Sequence, residues 1–257
     1  MARRMARQHI ESRITASNSL LRLQLLTAVL GLIAGSLDVI SFLGPSQMFT
    51  AHVTGNLVIL AAHLVGGAPI EPAVLLSLPV FVIALGLTRL LASGLDAVEY
   101  TTLRPLLLLQ FILLASFLSL ALIEHLRSST AASIVTVGGL LGVSAMAVQN
   151  GLVQVSLKGA PATAVMTTNV VRLSVDIGTL FLRPDREQTA KAAERATKTW
   201  PAVFGFTVGC AFGAACEDRF GLLSLTLPTS LSLIALAMGA AEIGEPEGRA
   251  CEVVAAE

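Results

Sequence analysis

The sequence predicts an all-α fold, a polytopic bundle of transmembrane helices, and three observations predict it. The first is composition. Of 257 residues, 54% are hydrophobic and 13% charged, and the mean hydropathy is +0.77. Soluble domains carry about 25% charged residues, so too little polar surface remains here to face water. The second is a series of apolar runs of about twenty residues, the length that crosses about 30 Å of hydrocarbon. The third is the placement of Lys and Arg, which cluster at one set of chain turns. The net charge is zero, so nothing points to nucleic acid. The expected partner is the lipid bilayer.

Residues 1–22 form a basic arm with Arg3, Arg4, Arg7, Arg13 and Arg22 against Glu11. The arm is too polar to insert. The apolar run behind it is longer than a signal peptide's and contains Asp38, so it reads as a retained first span with the arm in the cytoplasm. Spans are expected at 23–43, 49–66, 73–93, 104–123, 131–151, 162–182, 199–217 and 221–241. That is about eight; spans two, six and seven are the weakest, and the number falls to six or seven without some of them. Gly44-Pro45 and Gly159-Ala160-Pro161 mark turns before spans two and six.

With the N-terminus inside, the turn after span six carries Arg183, Arg186, Lys191, Arg195 and Lys198 on the cytoplasmic side. The opposite turns hold only scattered bases such as Arg104, Lys158 and Arg219. This is the positive-inside pattern. An even count then places the acidic tail, 242–257, inside as well. Glycines at GxxxG spacing, Gly31/Gly35, Gly138/Gly142 and Gly205/Gly209/Gly213, predict close helix crossings.

The chain also repeats itself. Thr50-Ala51-His52-Val53-Thr54-Gly55-Asn56 and Thr163-Ala164-Val165-Met166-Thr167-Thr168-Asn169 share Thr, Ala, Thr and Asn in register, 113 residues apart. Asp38-Val39 precedes the first copy much as Gln149-Asn150 precedes the second. Two repeats, 23–123 and 131–241, each of four spans, are expected. Four is even, so the halves would be parallel, related about the membrane normal.

The string Gly35-Ser36-Leu37-Asp38-Val39-Ile40-Ser41-Phe42, with Phe49 to Asn56 after it, resembles the YoaK-like family of bacterial integral membrane proteins, domain of unknown function 1275. Gln149-Asn150 and Ala162 to Leu173 resemble that family's second signature, with Thr168 where the family often has Gly. The resemblance runs from about Leu23 to Gly239. It implies the helical architecture and a bacterial inner-membrane location. It supplies no established activity, and only loosely an expectation of small-molecule transport.

Polar residues within the spans are the candidate site. A charge at mid-bilayer costs about 2.5–3.5 kcal/mol on insertion scales, so such residues face protein or water. Asp38, Arg172 and Asp176 qualify, with His52 and His63. At about 100° per residue, His52, Asn56 and His63 share one face of span two. Asn169, Arg172 and Asp176 share one face of span six. Facing stripes, with Gln149 and Asn150, would line a path between the halves. Arg172 and Asp176, four apart, are placed to pair. Asp38 reads either as a carboxyl bonded to a neighbouring helix or as a coupling group that binds H⁺ or Na⁺.

Cys210, Cys216 and Cys251 fit no zinc or redox spacing. No metal and no cofactor are expected, and no enzyme motif is present. The leading expectation is a small-solute transporter, ion-coupled in one version. A channel-like pore, a helper subunit and an intramembrane enzyme are the alternatives.

Overall fold

The computed structural model describes the backbone of residues 2–127, 132–157, 159–163, 165–183 and 185–241, and their side chains apart from 2–16, 127, 132 and 241. The tail 242–257 with Cys251, the side chains of the basic arm before residue 17, and Lys158 and Ala164 lie outside the described residues. The described residues form eight α-helices. They are α1 (Ala2–Leu43), α2 (Val53–Gly66), α3 (Pro72–Ala97), α4 (Leu103–Arg127), α5 (Ala132–Ser156), α6 (Met166–Leu182), α7 (Arg186–Phe220) and α8 (Thr226–Ala241). A 3-10 turn, Gly221–Leu225, joins the last two.

Five apolar stretches are long enough to cross a membrane: Ser17–Leu43, Pro72–Ala97, Leu103–Leu126, Ser133–Ser156 and Arg186–Ala240. The last contains both α7 and α8. The spans expected at 49–66 and 162–182 are shorter than the sequence suggests. Residues 44–52 and the described residues of 157–165 are not helical beyond turns. They lead into helices of 14 and 17 residues, about 21 and 26 Å at 1.5 Å per residue. Neither helix reaches across about 30 Å of hydrocarbon.

Glycine sets the tightest contact. α1 and α7 cross with their backbones touching: a Cβ on Gly31 would lie 2.7 Å from the Ala202 carbonyl oxygen, and one on Gly213 would lie 2.8 Å from Ser36. Gly35, Gly205 and Gly209 also meet only backbone of the facing helix. The GxxxG rows of spans one and seven thus pack on each other. Gly138 and Gly142 of α5 instead receive the ring of Phe117 from α4. Leu30, Ile33 and Leu37 of α1, Leu114 of α4 and Met146 and Leu152 of α5 belong to the main buried core.

Contacts also fix helix direction. On α1 and α7, Gln24 meets Thr197, Gly31 meets Ala202 and Gly35 meets Phe206 and Cys210, so these helices are parallel. On α1 and α5 the order reverses. Gln149 bonds the Leu30 carbonyl, Gly142 touches Thr50 beside Asp38, and Gly139 touches Ser46, which bonds Ser41. The first helix of one half is therefore antiparallel to the first helix of the other, and the parallel relation expected from the sequence does not hold. That expectation counted 49–66 and 162–182 as full crossings, and the helices found there have 14 and 17 residues.

The packing partners match between halves. α1 packs on α7 and α8, while α5 packs on α3 and α4; α2 packs on α3, and α6 on α7. Each half's first helix therefore lies against the third and fourth helices of the other.

Candidate functional site

Non-helical backbone inside an apolar bundle must find hydrogen-bond partners, because no lipid can supply them. Side chains do this for residues 44–52. Asp38, 2% exposed, projects from α1 into the turn. Its Oδ1 accepts from the Thr50 N–H at 2.8 Å, the Ala51 N–H at 2.6 Å and the Thr50 hydroxyl at 3.1 Å. Its Oδ2 lies 2.5 Å from Nδ1 of His52. Asn56, in the first turn of α2, accepts from the Phe49 N–H and donates to the Phe49 carbonyl, both at 2.8 Å. The turn leaves α1 at Leu43, doubles back to the level of Asp38, and starts α2 there. His52 precedes α2 directly, and its ring meets Phe206 of α7 edge-on, centroids 5.1 Å apart. Its side chain is 27% exposed, against 3% for Asp38.

The second half builds the same turn with amides. Gln149 donates to the Leu30 carbonyl at 3.0 Å and to the Thr163 hydroxyl at 2.8 Å, and Gln110 of α4 donates to its Oε1 at 2.7 Å. Thr163 donates to Asn150 Oδ1 at 3.3 Å, and Asn150 donates to the Met146 carbonyl. Asn169 donates to the Ala162 carbonyl at 2.8 Å, seven residues back. Asn56 reaches back the same seven residues to Phe49. Among the described residues, the side chains that clamp the second turn, Gln149, Asn150, Thr163 and Asn169, are all neutral. Among the described residues, the acid–imidazole contact is found in the first turn.

Asp38 and His52 are thus brought together, as are Gln149, Asn150 and Thr163. Asn56 and Asn169 each clamp their own turn and do not bond each other. The stripe of span six divides: Asn169 and Asp176 are buried, and Arg172 is exposed. Asp176 pairs with Arg195 of α7, which donates from Nη2 at 2.5 Å and Nε at 3.0 Å. The pairing of Arg172 with Asp176 expected from their spacing is replaced, because Arg195 reaches the carboxylate with a two-nitrogen grip from the facing helix. His63 is apart from the site, with Nδ1 buried and unbonded.

Thr50, Thr163, Gln110 and Arg195 belong to these networks without having been singled out from the sequence. The two threonines were visible as matching positions of the internal repeat. Gln110 stood as an amide in the middle of an apolar run. Arg195 had no signal beyond its place in a basic segment. Among the described residues, no three His, Cys, Asp or Glu side chains converge to hold a metal.

The ion pair makes a sharp prediction. Asp176 has a side chain 2% exposed, and Arg195 is half-exposed. Arg195→Ala should cost stability at the lower end of about 3–5 kcal/mol, since it strands a buried carboxylate. Arg172→Leu should stay within about 0.5 kcal/mol. Thermal unfolding of the purified variants decides between them; equal losses would sink the assignment.

In comparison with known proteins, the family described as "Protein of unknown function (DUF1275)" matches residues 26–238. No curated protein and no solved structure matches the chain.

Proposed function

We propose, from the premise that the chain belongs to the DUF1275 family, that it is a proton-coupled transporter of a small solute, built as an inverted repeat. The observation that carries this reading is the difference between the two turns. Clamping a turn needs only neutral donors and acceptors, as Gln149, Asn150 and Asn169 demonstrate. The first half uses a buried carboxylate and a histidine instead. Structure alone does not call for that pair.

The architecture follows from helix direction. If α1 runs outward, the turn at 44–52 doubles back and α2 runs outward again, so α1 and α2 make one crossing. α3 returns and α4 crosses outward. α5 and α6 then make one inward crossing, followed by α7 and α8. Each half has three crossings. An odd number inverts the second half relative to the first, which is the arrangement of many secondary transporters with broken helices. The two turns meet α1 at the levels of Asp38 and Leu30, about 12 Å apart.

The charges support the same path. Arg104 moves to the cytoplasmic end, beside the arm and the 183–198 segment. The outer end keeps Arg127 and Arg219. The positive-inside pattern is therefore cleaner with six crossings than with eight. Both termini remain cytoplasmic.

Chemistry favours H⁺ over Na⁺. Sodium needs several converging oxygen atoms with free lone pairs, whereas Asp38 Oδ1 is surrounded by N–H and O–H donors. A proton needs only the imidazole. His52 is partly exposed and takes the proton; Asp38, 2.5 Å away, supplies the negative partner that an imidazolium requires in an apolar bundle. Charging and discharging this pair beside the start of α2 is the step that biases the turn between two packings.

Topology tests the architecture. A cysteine placed at Ala68 should react with an impermeant maleimide from outside the cell, and one at Glu99 only after the cytoplasmic side is opened. Eight spans would give the reverse. Transport is tested in proteoliposomes by currents evoked by a panel of amino acids, sugars and organic ions under a pH gradient. A solute current that needs the gradient and disappears in His52→Gln is the expected result. A solute flux indifferent to both would make the protein a facilitative pore.

A further inference from the structure

We propose that Arg89 and Arg172 together bind a small oxyanion, a carboxylate or a phosphate, in the inner half of the bundle. As the solute site this rests on the transporter reading above; as an anion site it stands without it. Arg89 lies inside the apolar stretch Pro72–Ala97, about 12 Å from the end of α3. Both arginines are exposed, and neither has a hydrogen-bond or ion-pair partner among the described residues. Asp176, one turn from Arg172, is taken by Arg195. A cation within a span is costly unless it faces water or a counter-charge.

Contacts place the two arginines at one depth. Thr88, beside Arg89, touches Gly151, and Gln149, next to that glycine's neighbour, bonds the Leu30 carbonyl. Asp176 bonds Arg195 of α7, and the nearby Thr197 carbonyl meets Gln24. Both arginines are therefore level with the stretch of α1 from Gln24 to Leu30, about 9 Å long. They also flank the same part of α5. α3 packs there through Thr88, and α6 starts from the turn that Gln149 holds through Thr163. α2 covers only the outer part of α3, where Val53 shares a cluster with Ala73 and Val74. Inward of it, α6 packs on α7, with Asn169 and Asp176 buried and Thr168 and Arg172 exposed. The open sides of α3 and α6 border one crevice, with an arginine on each wall.

Two guanidiniums suit an oxyanion, which each grips through parallel N–H donors. Without an anion the like charges repel, and cations are turned away. A phospholipid headgroup offers the same chemistry. Helical side chains, however, lean toward their own N-terminus. α3 and α6 both run inward, so both guanidiniums lean away from the inner headgroups and toward the middle of the bundle. A free solute fits that direction better. The proton site at Asp38 is about 12 Å beyond Leu30 along α1, so anion and proton occupy separate places.

The test uses the full-length protein in phosphatidylcholine nanodiscs, titrated calorimetrically with inorganic phosphate and with succinate. At least one should bind the wild type, and Arg89→Gln and Arg172→Gln should each weaken it about tenfold or more. Arg89→Lys and Arg172→Lys should lose less, and melting without anion should not change in any of the four. No binding of either probe, or binding unchanged in either glutamine variant, would overturn the site. Phosphatidylglycerol retained by the wild type and lost from the glutamine variants, with no free anion bound, would make the occupant a headgroup and overturn the solute. With serine at the native cysteines, a short bifunctional thiol reagent should bridge Arg89→Cys to Arg172→Cys; failure to bridge would remove the shared crevice. An anion that binds but evokes no pH-driven current sinks the transporter reading and keeps the site. A proton-coupled current carried only by neutral or cationic solutes keeps that reading and rejects the anion as its solute.

Discussion

Asp38→Ala is expected to yield no folded protein, whereas Asp38→Asn should fold and lose proton coupling. The two variants separate the two jobs of one side chain. Oδ1 accepts three hydrogen bonds from Thr50 and Ala51. Alanine leaves all three donors buried and unmet, at about 1–3 kcal/mol each. Their sum reaches a large fraction of the roughly 5–15 kcal/mol that holds a typical domain together. Asparagine keeps an oxygen in the Oδ1 position and presents an amide to His52, so the turn persists. What disappears is the negative partner of the imidazolium. Size-exclusion chromatography in detergent reads the first effect, and pH-gradient-driven current reads the second. An Asp38→Asn protein that transports with unchanged pH dependence would make Asp38 a clamp and nothing more. A well-folded Asp38→Ala protein would remove even that.

The next largest effect is expected from Gly209→Leu. The Cβ of residue 209 would fall on the backbone of Leu32, and no rotamer moves a Cβ. The helices must separate, and the same separation breaks the contacts of Gly31, Gly35, Gly205 and Gly213. In hydrocarbon no hydrophobic force restores them, because close packing is itself the source of association. Loss of the folded monomer is expected. Gly86 is the control, with nothing within 4 Å of its would-be Cβ; Gly86→Ala should be neutral or stabilise by up to about 1 kcal/mol through helix propensity. Thermal unfolding compares them directly. Equal melting of Gly209→Leu and wild type would mean that α1 and α7 do not touch as described.

The crossing illustrates how far sequence spacing reaches. Glycine spacing marked both helices as close packers, but spacing does not name the partner. Gly138 and Gly142 have the same spacing and receive an aromatic ring instead. The candidate site divided in the same way. Asp38, His52, Gln149 and Asn150 stood out because polar groups inside apolar runs need partners. Arg172 stood out equally and is exposed. Its place beside Asp176 is taken by Arg195, nineteen residues further along, and a contact closed by a helical hairpin leaves no local mark.

By itself, the sequence determined the solvent and the inventory: helices long and apolar enough for a bilayer, and a polar motif repeated 113 residues apart. Composition suffices for that, because burying charge in hydrocarbon is costly at any position. Only the tertiary structure decided direction. A segment that turns back midway and a segment that crosses have the same apolar composition, and hydropathy counts residues without recording which way they run. The turn at 44–52 doubles back because Asp38 and Asn56 hold its backbone through bonds spanning 12, 13 and 7 residues. Bonds of that reach have no periodicity, so the fate of each half rested on contacts that form only when the chain is folded.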